Sequence, residues 1–247
     1  MHTIVNAVPV LHVSFPTPDE SDPFPAMIPM LGFMGSFSNQ AASLSEPLDL
    51  YLHGYISSRL MRLGSTSPTE KEGLPVTIAA THVDGLVLAL SANHHSCNYR
   101  SAILHGFASI VTDTDEKLWA MEGVTNNVVA DRWNNTRLPP TNSEMTSTQL
   151  LKVSVVDGSA KIRSGSTSDD RADMKNEELR ANTWIGVVPI WTAYGTPIPS
   201  SDNRVSEVCS IDKQLSKAST KDPRFLSTSL AISRRGMKLE KTMLCLL

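Results

Sequence analysis

Three short segments of this 247-residue chain carry residue types suited to gripping an anion. The first, Leu50-Tyr51-Leu52-His53-Gly54-Tyr55-Ile56-Ser57-Ser58-Arg59-Leu60-Met61-Arg62, runs from an apolar strand through a glycine into a short helix. A helix start leaves N–H groups unpaired and carries the positive end of the dipole. Ser58 adds a hydroxyl donor and Arg59 a planar charged fork that matches phosphate, with Arg62 one turn on and on the same face. A serine N-cap between two solvated arginines is the ordinary alternative for such a pattern. The second segment, Asn93-His94-His95-Ser96-Cys97-Asn98-Tyr99-Arg100-Ser101, opens a long strand, and Arg100 with Ser101 offers a second phosphate clamp. Adjacent residues of an extended chain face opposite ways, so His94 and His95 do not make a metal site by themselves. No carboxylate or third histidine stands nearby at ligand spacing, and no metal is expected. In the third segment Lys161 and Arg163 alternate onto one face, where a solvated edge strand is the usual explanation. Trp184 and Trp191 either stack on a ring or belong to the core, and burial is the expectation.

Phosphate-binding loops rich in glycine are missing, as is a Gly-x-Ser-x-Gly nucleophile elbow. A phosphate ligand is therefore to be held by side chains and a helix start. No side chain stands out as an acid or base. His53, His94 and His95 are the weak candidates, because an imidazole exchanges protons near neutrality.

The elements that must position these residues read mainly as strands. Val10–Phe15, Ala26–Leu31, Leu48–Gly54, Val76–His82, Leu86–Ser91, Ser101–Val111 and Leu150–Val156 are apolar or β-branched and bounded by Pro, Gly, Asp and Asn. Asp84-Gly85 between two apolar runs predicts a tight hairpin. Helices are predicted over Ser57–Leu63 and Asp113–Val129, the latter with Leu118, Met121, Val124 and Val128 at helical spacing. Its first turn is acidic, as the helix dipole favours. Pro16–Pro25 and Asn134–Ser147 read as loops. The fold class is mainly β with flanking helices, a small barrel of antiparallel strands.

Composition narrows the function classes. With 22 basic and 25 acidic residues the chain lacks the basic footprint of a nucleic-acid binder. No apolar run approaches the ~20 residues a membrane helix needs. The N-terminal residues do not read as an export signal, and a cytoplasmic location is expected. Cys97, Cys209 and Cys245 are too few and too scattered for a disulfide framework or a zinc pattern. Charge is uneven: from Asp212 onward eight basic residues meet three acidic ones, leaving 14 basic and 22 acidic residues before it. Residues 1–208 are accordingly read as the folded domain and 209–247 as a poorly ordered basic tail.

In combination the segments are more specific. Leu-Tyr-Leu-His-Gly with Ser58-Arg59-Leu60, then Ala80-Thr81-His82-Val83-Asp84-Gly85-Leu86-Val87-Leu88-Ala89, then His94-His95-Ser96-Cys97-Asn98-Tyr99-Arg100-Ser101 follow in that order. Ser159-Ala160-Lys161-Ile162-Arg163 and Trp184-Ile185-Gly186-Val187-Val188-Pro189 continue the pattern. The chain so resembles the pyridoxamine 5′-phosphate oxidase-related flavoproteins, in the flavin-nucleotide-binding branch that is similar to the nitroimidazole-resistance proteins. The likeness runs from about Ile4 to Val208. It implies an FMN-binding split β-barrel, typically a homodimer with flavin at the subunit interface, and an FMN-dependent oxidoreductase acting on a small organic substrate. A non-catalytic flavin or heme binder, store or redox sensor is the alternative. By the same resemblance Ser58, Arg59, Arg100 and Ser101 are placed at the flavin phosphate, with Arg62 in reserve. Ile28, Met30 and Leu31 lie on the strand along the ring, His53 and Gly54 beside the ribityl chain, and Trp184 at the rim. Leu60 stands where the oxidase proper has Lys, and the oxidase's C-terminal substrate-phosphate motif has no counterpart. The resemblance therefore implies a flavin site and not vitamin B6 oxidation.

Overall fold

The computed structural model describes residues 1–17, 19, 21–64 and 73–205. Its strands are β1 Leu11–Phe15, β2 Ala26–Gly35, β3 Asp49–Tyr55, β4 Leu74–Leu88, β5 Ser96–Ile110, β6 Thr148–Arg163 and β7 Gly186–Pro189. The helices are α1 His2–Ala7, α2 Arg59–Gly64, α3 Thr114–Val128, α4 Asn142–Ser147, α5 Arg171–Lys175 and α6 Glu177–Asn182. The strand order is β1-β2-β3-β6-β5-β4-β7, and β1 also pairs with β4. Six strands thus close into a barrel in which every pairing is antiparallel, and β7 extends the sheet outward from β4. This is the split barrel with flanking helices that the sequence predicts.

Alternation fills the interior. Leu11, Val13 and Phe15 of β1, Leu50 and Leu52 of β3, Val76, Ile78 and Ala80 of β4, and Ala102 and Leu104 of β5 point inward and are buried. The closing seam is short. Only His12–Ala79, Val13–Ile78 and Ser14–Thr77 join β1 to β4, whereas β4 and β5 pair along nearly their whole length. At the N-terminal side of the seam, the Asn6 side chain bonds both the N–H and the C=O of Met34, tying α1 to β2.

Four expectations are corrected. Asp84-Gly85 is not a hairpin turn: β4 runs straight through it, and the extra residue makes a bulge between Val83 and Gly85. The predicted strands Val76–His82 and Leu86–Ser91 are therefore largely one. Position 84 stays in the sheet because β5 pairs on one edge and the Ile190 N–H bonds the Asp84 carbonyl on the other. Second, the predicted stripe on α3 holds only in part: Val124 is buried and Met121 packs on the second core cluster. Asp113 caps the helix as expected, accepting from the Glu116 N–H, but Val128 is exposed. Glu116 and Ala120 face the barrel beside Val124, joined by Gly123 and Asn127. Small and polar residues suit a helix lying close on the aromatic cluster of Phe33, Phe37, Tyr51 and Trp119. A side chain at Gly123 would overlap the Phe33 ring.

Third, Asn134–Ser147 is not all loop, since a capping box of Thr141 and Glu144 starts α4 within it. Finally, Trp184 and Trp191 are exposed rather than buried. The Trp184 ring lies over Gly186, whose φ of +153° and missing Cβ admit it. The expected basic tail lies outside the described residues.

Candidate functional site

The outer wall of β2 and β3 carries the first group of candidate residues. Along β2, Ile28 and Met30 pack toward the barrel core, so only their backbone is available on the outside. Met27, Pro29 and Leu31 are the outward side chains, with Met27 64% and Leu31 36% exposed. Leu31 is the register partner of His53, whose other neighbour is Leu150 of β6. Burial between these side chains pulls the His53 imidazole below its ordinary pKa of 6.5, favouring the neutral ring. Among the described residues it has no hydrogen-bond partner, so its ring nitrogens can serve a ligand. Gly54 faces the opposite way. A Cβ there would strike the Met61 side chain, so this glycine lets α2 seat on the barrel and touches the ligand face only through its backbone.

Past the exposed Tyr55 the chain turns into α2, which Leu60 and Met61 anchor by complete burial. Ser58 caps it, its Oγ accepting from the Met61 N–H at 3.4 Å and its carbonyl from the Arg62 N–H at 3.0 Å. Arg59 and Arg62 stand exposed on the outside. Asp19 lies within electrostatic reach of Arg59. Its carboxyl is held below the usual range by the Ser21 hydroxyl and N–H first, and by Arg59 in smaller part. The Ser58–Arg59 corner and the half-buried His53 therefore frame one strip of outer wall, cationic at one end and apolar along Leu31 and Met27.

The second group is elsewhere in the same chain. Arg100 pairs with His82 of β4 and Ile162 of β6, and Ser101 with Thr81 and Lys161. β3 meets β6 only at residues 148–153. Nine further residues of β6, ~30 Å of extended strand, separate Val153 from Ile162. In the other direction β2, β1 and β4 intervene between β3 and β5, about 19 Å of arc at the usual strand spacing. No strand pairing within one chain brings the two clamps side by side.

Nor is Arg100 an unengaged cation. Its Nε donates to Asp84 Oδ2 at 2.9 Å and its Nη2 to Asp84 Oδ1 at 2.8 Å, a bidentate pair. Arg100 first, then His82, hold the Asp84 carboxyl below the usual carboxylate range. His82 Nδ1 lies 3.0 Å from Asp84 Oδ1 and 3.2 Å from Arg100 Nη2. His82 and Asp84 were missed by residue spacing because the bulge that brings them together was read as a turn. The Ser101 hydroxyl donates to the Lys161 carbonyl of β6.

His94 sits in a 3-10 turn over Ala92–His94, with Nδ1 enclosed and unpartnered among the described residues. His95 Nδ1 accepts from the Ala89 N–H at 2.9 Å, which fixes that ring as a structural acceptor. Neither histidine is brought to His53 by any strand pairing. Lys161 lies over the Tyr99 ring at 5.8 Å, and Arg163 bonds the buried Asn98, so the basic pair of the third segment serves the sheet. No cluster of three or more His, Cys, Asp or Glu that could hold a metal occurs among the described residues. Among them, no helix is long and apolar enough to cross a membrane.

Comparison with known proteins identifies the family. Residues 1–162 match the sequence profile of the family described as pyridoxamine 5′-phosphate oxidase. The solved FAD and heme binding protein from Mycobacterium smegmatis is similar at 25% identity and a TM-score of 0.66, over 85% of this chain and 91% of that one. The flavocytochrome Anf3 from Azotobacter vinelandii is similar at 26% identity and a TM-score of 0.64, over 85% and 86%. No functionally curated protein is a significant match.

Proposed function

Since the chain belongs to the pyridoxamine 5′-phosphate oxidase family, we propose that it is a flavin-dependent oxidoreductase that holds FMN and acts on a small organic substrate as a homodimer. The observation that carries the reading is the strip on β2 and β3, an apolar wall ending at a hydroxyl and a guanidinium. That donor set fits a flavin. Ser58 and Arg59 hold the phosphate, the β2 backbone with Leu31 faces the ring, and His53 stands beside the chain that joins them. Bound there, the flavin supplies hydride or electron transfer, while the protein supplies binding, orientation and electrostatics. His53 is kept neutral by its burial and so can both accept and donate a hydrogen bond.

The homodimer is supported by two features. The outer face of β2 exposes Met27 and Leu31, and no strand pairing within one chain joins the two cationic segments. A partner subunit places its own Arg100 segment against the Ser58–Arg59 corner.

A second reading is favoured by the two similar structures, which are named for FAD with heme and as a flavocytochrome. In it the flavin is FAD, a heme accompanies it, and the protein carries electrons rather than turning over a substrate. Purification followed by a visible spectrum and chromatography of the released chromophore separates the two. Bound FMN near one per subunit, without a Soret band, is the expected result. FAD with a Soret band establishes the second reading, and a colourless protein that ignores added flavin overturns both. Replacing Arg59 and Arg100 together with Ala is expected to abolish flavin retention, and full loading of that variant refutes the assignment of the site.

A further inference from the structure

The outer side of α3 carries a stripe that the flavin reading does not use. Asp115, Trp119 and Glu122 follow one another at spacings of four and three, which puts them on one face of the helix. All three line an open cleft of about 650 Å³. Phe37, from the segment after β2, and Trp133 with Pro139, from the segment after α3, line it too. The cleft lies away from the flavin strip. The Trp119 ring rests against Gly35, where a Cβ would approach it to 2.9 Å. Gly35 pairs with Asp49, ~20 Å of strand before Tyr55.

Hydrogen bonds and ring contacts fix the lining. Trp119 packs on Phe33, Phe37 and Tyr51 at centroid distances of 5.3, 5.8 and 5.1 Å. Asn126 of α3 accepts the Trp133 N–H at 2.9 Å. Asp131 holds the same turn through Asn134 and Asn135, and Arg137 donates to Glu144 and to the Pro139 carbonyl.

Charge in the cleft has one sign. Asp115 and Glu122 line it, and among the described residues no basic side chain does. The cations nearby are engaged elsewhere: Arg137 with Glu144, Lys117 with the Met145 carbonyl at 2.7 Å, and Lys152 with Glu116 and Asp49. Arg132, next to Trp133 in sequence, does not line the cleft. Asp115 is in the first turn of α3, where the helix dipole accounts for an acid. Glu122, two turns further on, has no such reason and makes no hydrogen bond or ion pair among the described residues.

Seven residues of α-helix advance about 10 Å along the axis. Two carboxylates therefore stand that far apart with an indole between them. A carboxylate at each end accepts from an ammonium group, aromatic surface between them attracts cations and covers methylenes, and an anion is repelled at both ends. We propose that this cleft binds a linear aliphatic diamine or polyamine, with one ammonium at Asp115, one at Glu122 and the methylene chain across Trp119. The site is independent of the flavin reading.

The test is calorimetric titration of the full-length chain in ~0.15 M salt, which screens loose association between exposed charges. The probe is 1,7-diaminoheptane, a dication at neutral pH whose extended nitrogens lie about 10 Å apart at ordinary bond lengths. Expected is one diamine per chain, bound about tenfold tighter than heptylamine, which carries one charge, and than 1,4-diaminobutane, which is too short to reach both ends. Glu122→Gln and Asp115→Asn keep the side-chain size and should each lower the diamine affinity to about that of heptylamine. Indole N–H signals locate the ligand, because the four tryptophans divide evenly: Trp119 and Trp133 line the cleft, and Trp184 and Trp191 do not. The first two should shift on titration and the second two should stay. Equal affinity for the three amines overturns the proposal, as do undiminished binding by both variants and movement of the Trp184 and Trp191 signals instead. An oligolysine that binds as tightly as the diamine makes the cleft a site for basic protein and equally overturns it.

Discussion

His53 shows how a single side chain can be legible in type and illegible in circumstance. Its identity beside a glycine at a strand end marked it as a candidate, but its outward direction, the Leu31 and Leu150 walls and the resulting preference for the neutral ring come from strand register. The preference has a measurable sign. A histidine held below its ordinary value of 6.5 binds its proton more weakly in the folded chain than in the unfolded one. Acidification through about pH 6.5 therefore favours unfolding, and the loss continues until the folded ring also titrates. We expect the melting temperature of His53→Gln to fall less than that of the parent between pH 7 and pH 5. Parallel melting curves would show that burial does not control this ring. Arg100 is the converse case. Residue type and position suggested an anion clamp, yet the structure gives the guanidinium a carboxylate of its own, because nothing in the spacing of Asp84 and Arg100 announces a contact across a bulge.

Elements were readable where apolar alternation was strong and unreadable where contact demanded small or polar residues. The barrel strands contain their β-branched runs, but β6 continues seven residues past the predicted Val156 to Arg163, and β5 begins at Ser96, five residues before the predicted Ser101. α3 is legible along the chain and in Met121 and Val124, but the rest of its buried side is not, because Glu116, Ala120, Gly123 and Asn127 carry little hydrophobic signal. What holds that helix is specific bonding: Glu116 accepts from the buried Tyr51 hydroxyl at 2.6 Å and pairs with Lys152 at 3.4 Å, and Asn127 donates to the Gly32 carbonyl at 3.0 Å. Burial first, and Glu116 second, push the Tyr51 phenol upward, so it stays a donor across the whole working pH range. The N-cap adds to this. Asp113→Ala removes the acceptor for the Glu116 N–H and is expected to cost about 1 kcal/mol. A lower urea midpoint at unchanged slope would report it, and an unchanged midpoint would mean that the α3 side contacts carry the helix alone.

For the molecule as a whole, the split between the two cationic segments is the fact with the widest reach. On the proposed homodimer a complete site draws on two chains, and cofactor retention and assembly should stand or fall together. Met27→Asp places a charge on an exposed apolar position of the β2 outer face. We expect sedimentation to show the parent as two chains per particle and this variant as one, with flavin lost in parallel. A monomeric variant that keeps its flavin would separate the two properties. Function at this scale is legible only as a family likeness, since a site assembled from separate segments leaves no contiguous pattern in one sequence.

The three-rung seam between β1 and β4 has a consequence for how the barrel comes into being. Val13 meets Ile78 across 64 residues of intervening chain, whereas β4 and β5 are joined through a short turn and zip along thirteen pairs. The entropy of closing a long loop must be met before its few contacts repay it, so long-range pairings of this kind tend to form late. The β4–β5–β6 meander is the natural scaffold, and β1 is the latch that converts a curled sheet into a barrel. The same order runs backwards in the native state, where the least-supported pairing opens first. Amide hydrogens over Leu11–Phe15 should accordingly exchange through a partial opening, well before those over Cys97–Ala108. Uniform protection of both would mean that the barrel opens only by unfolding altogether.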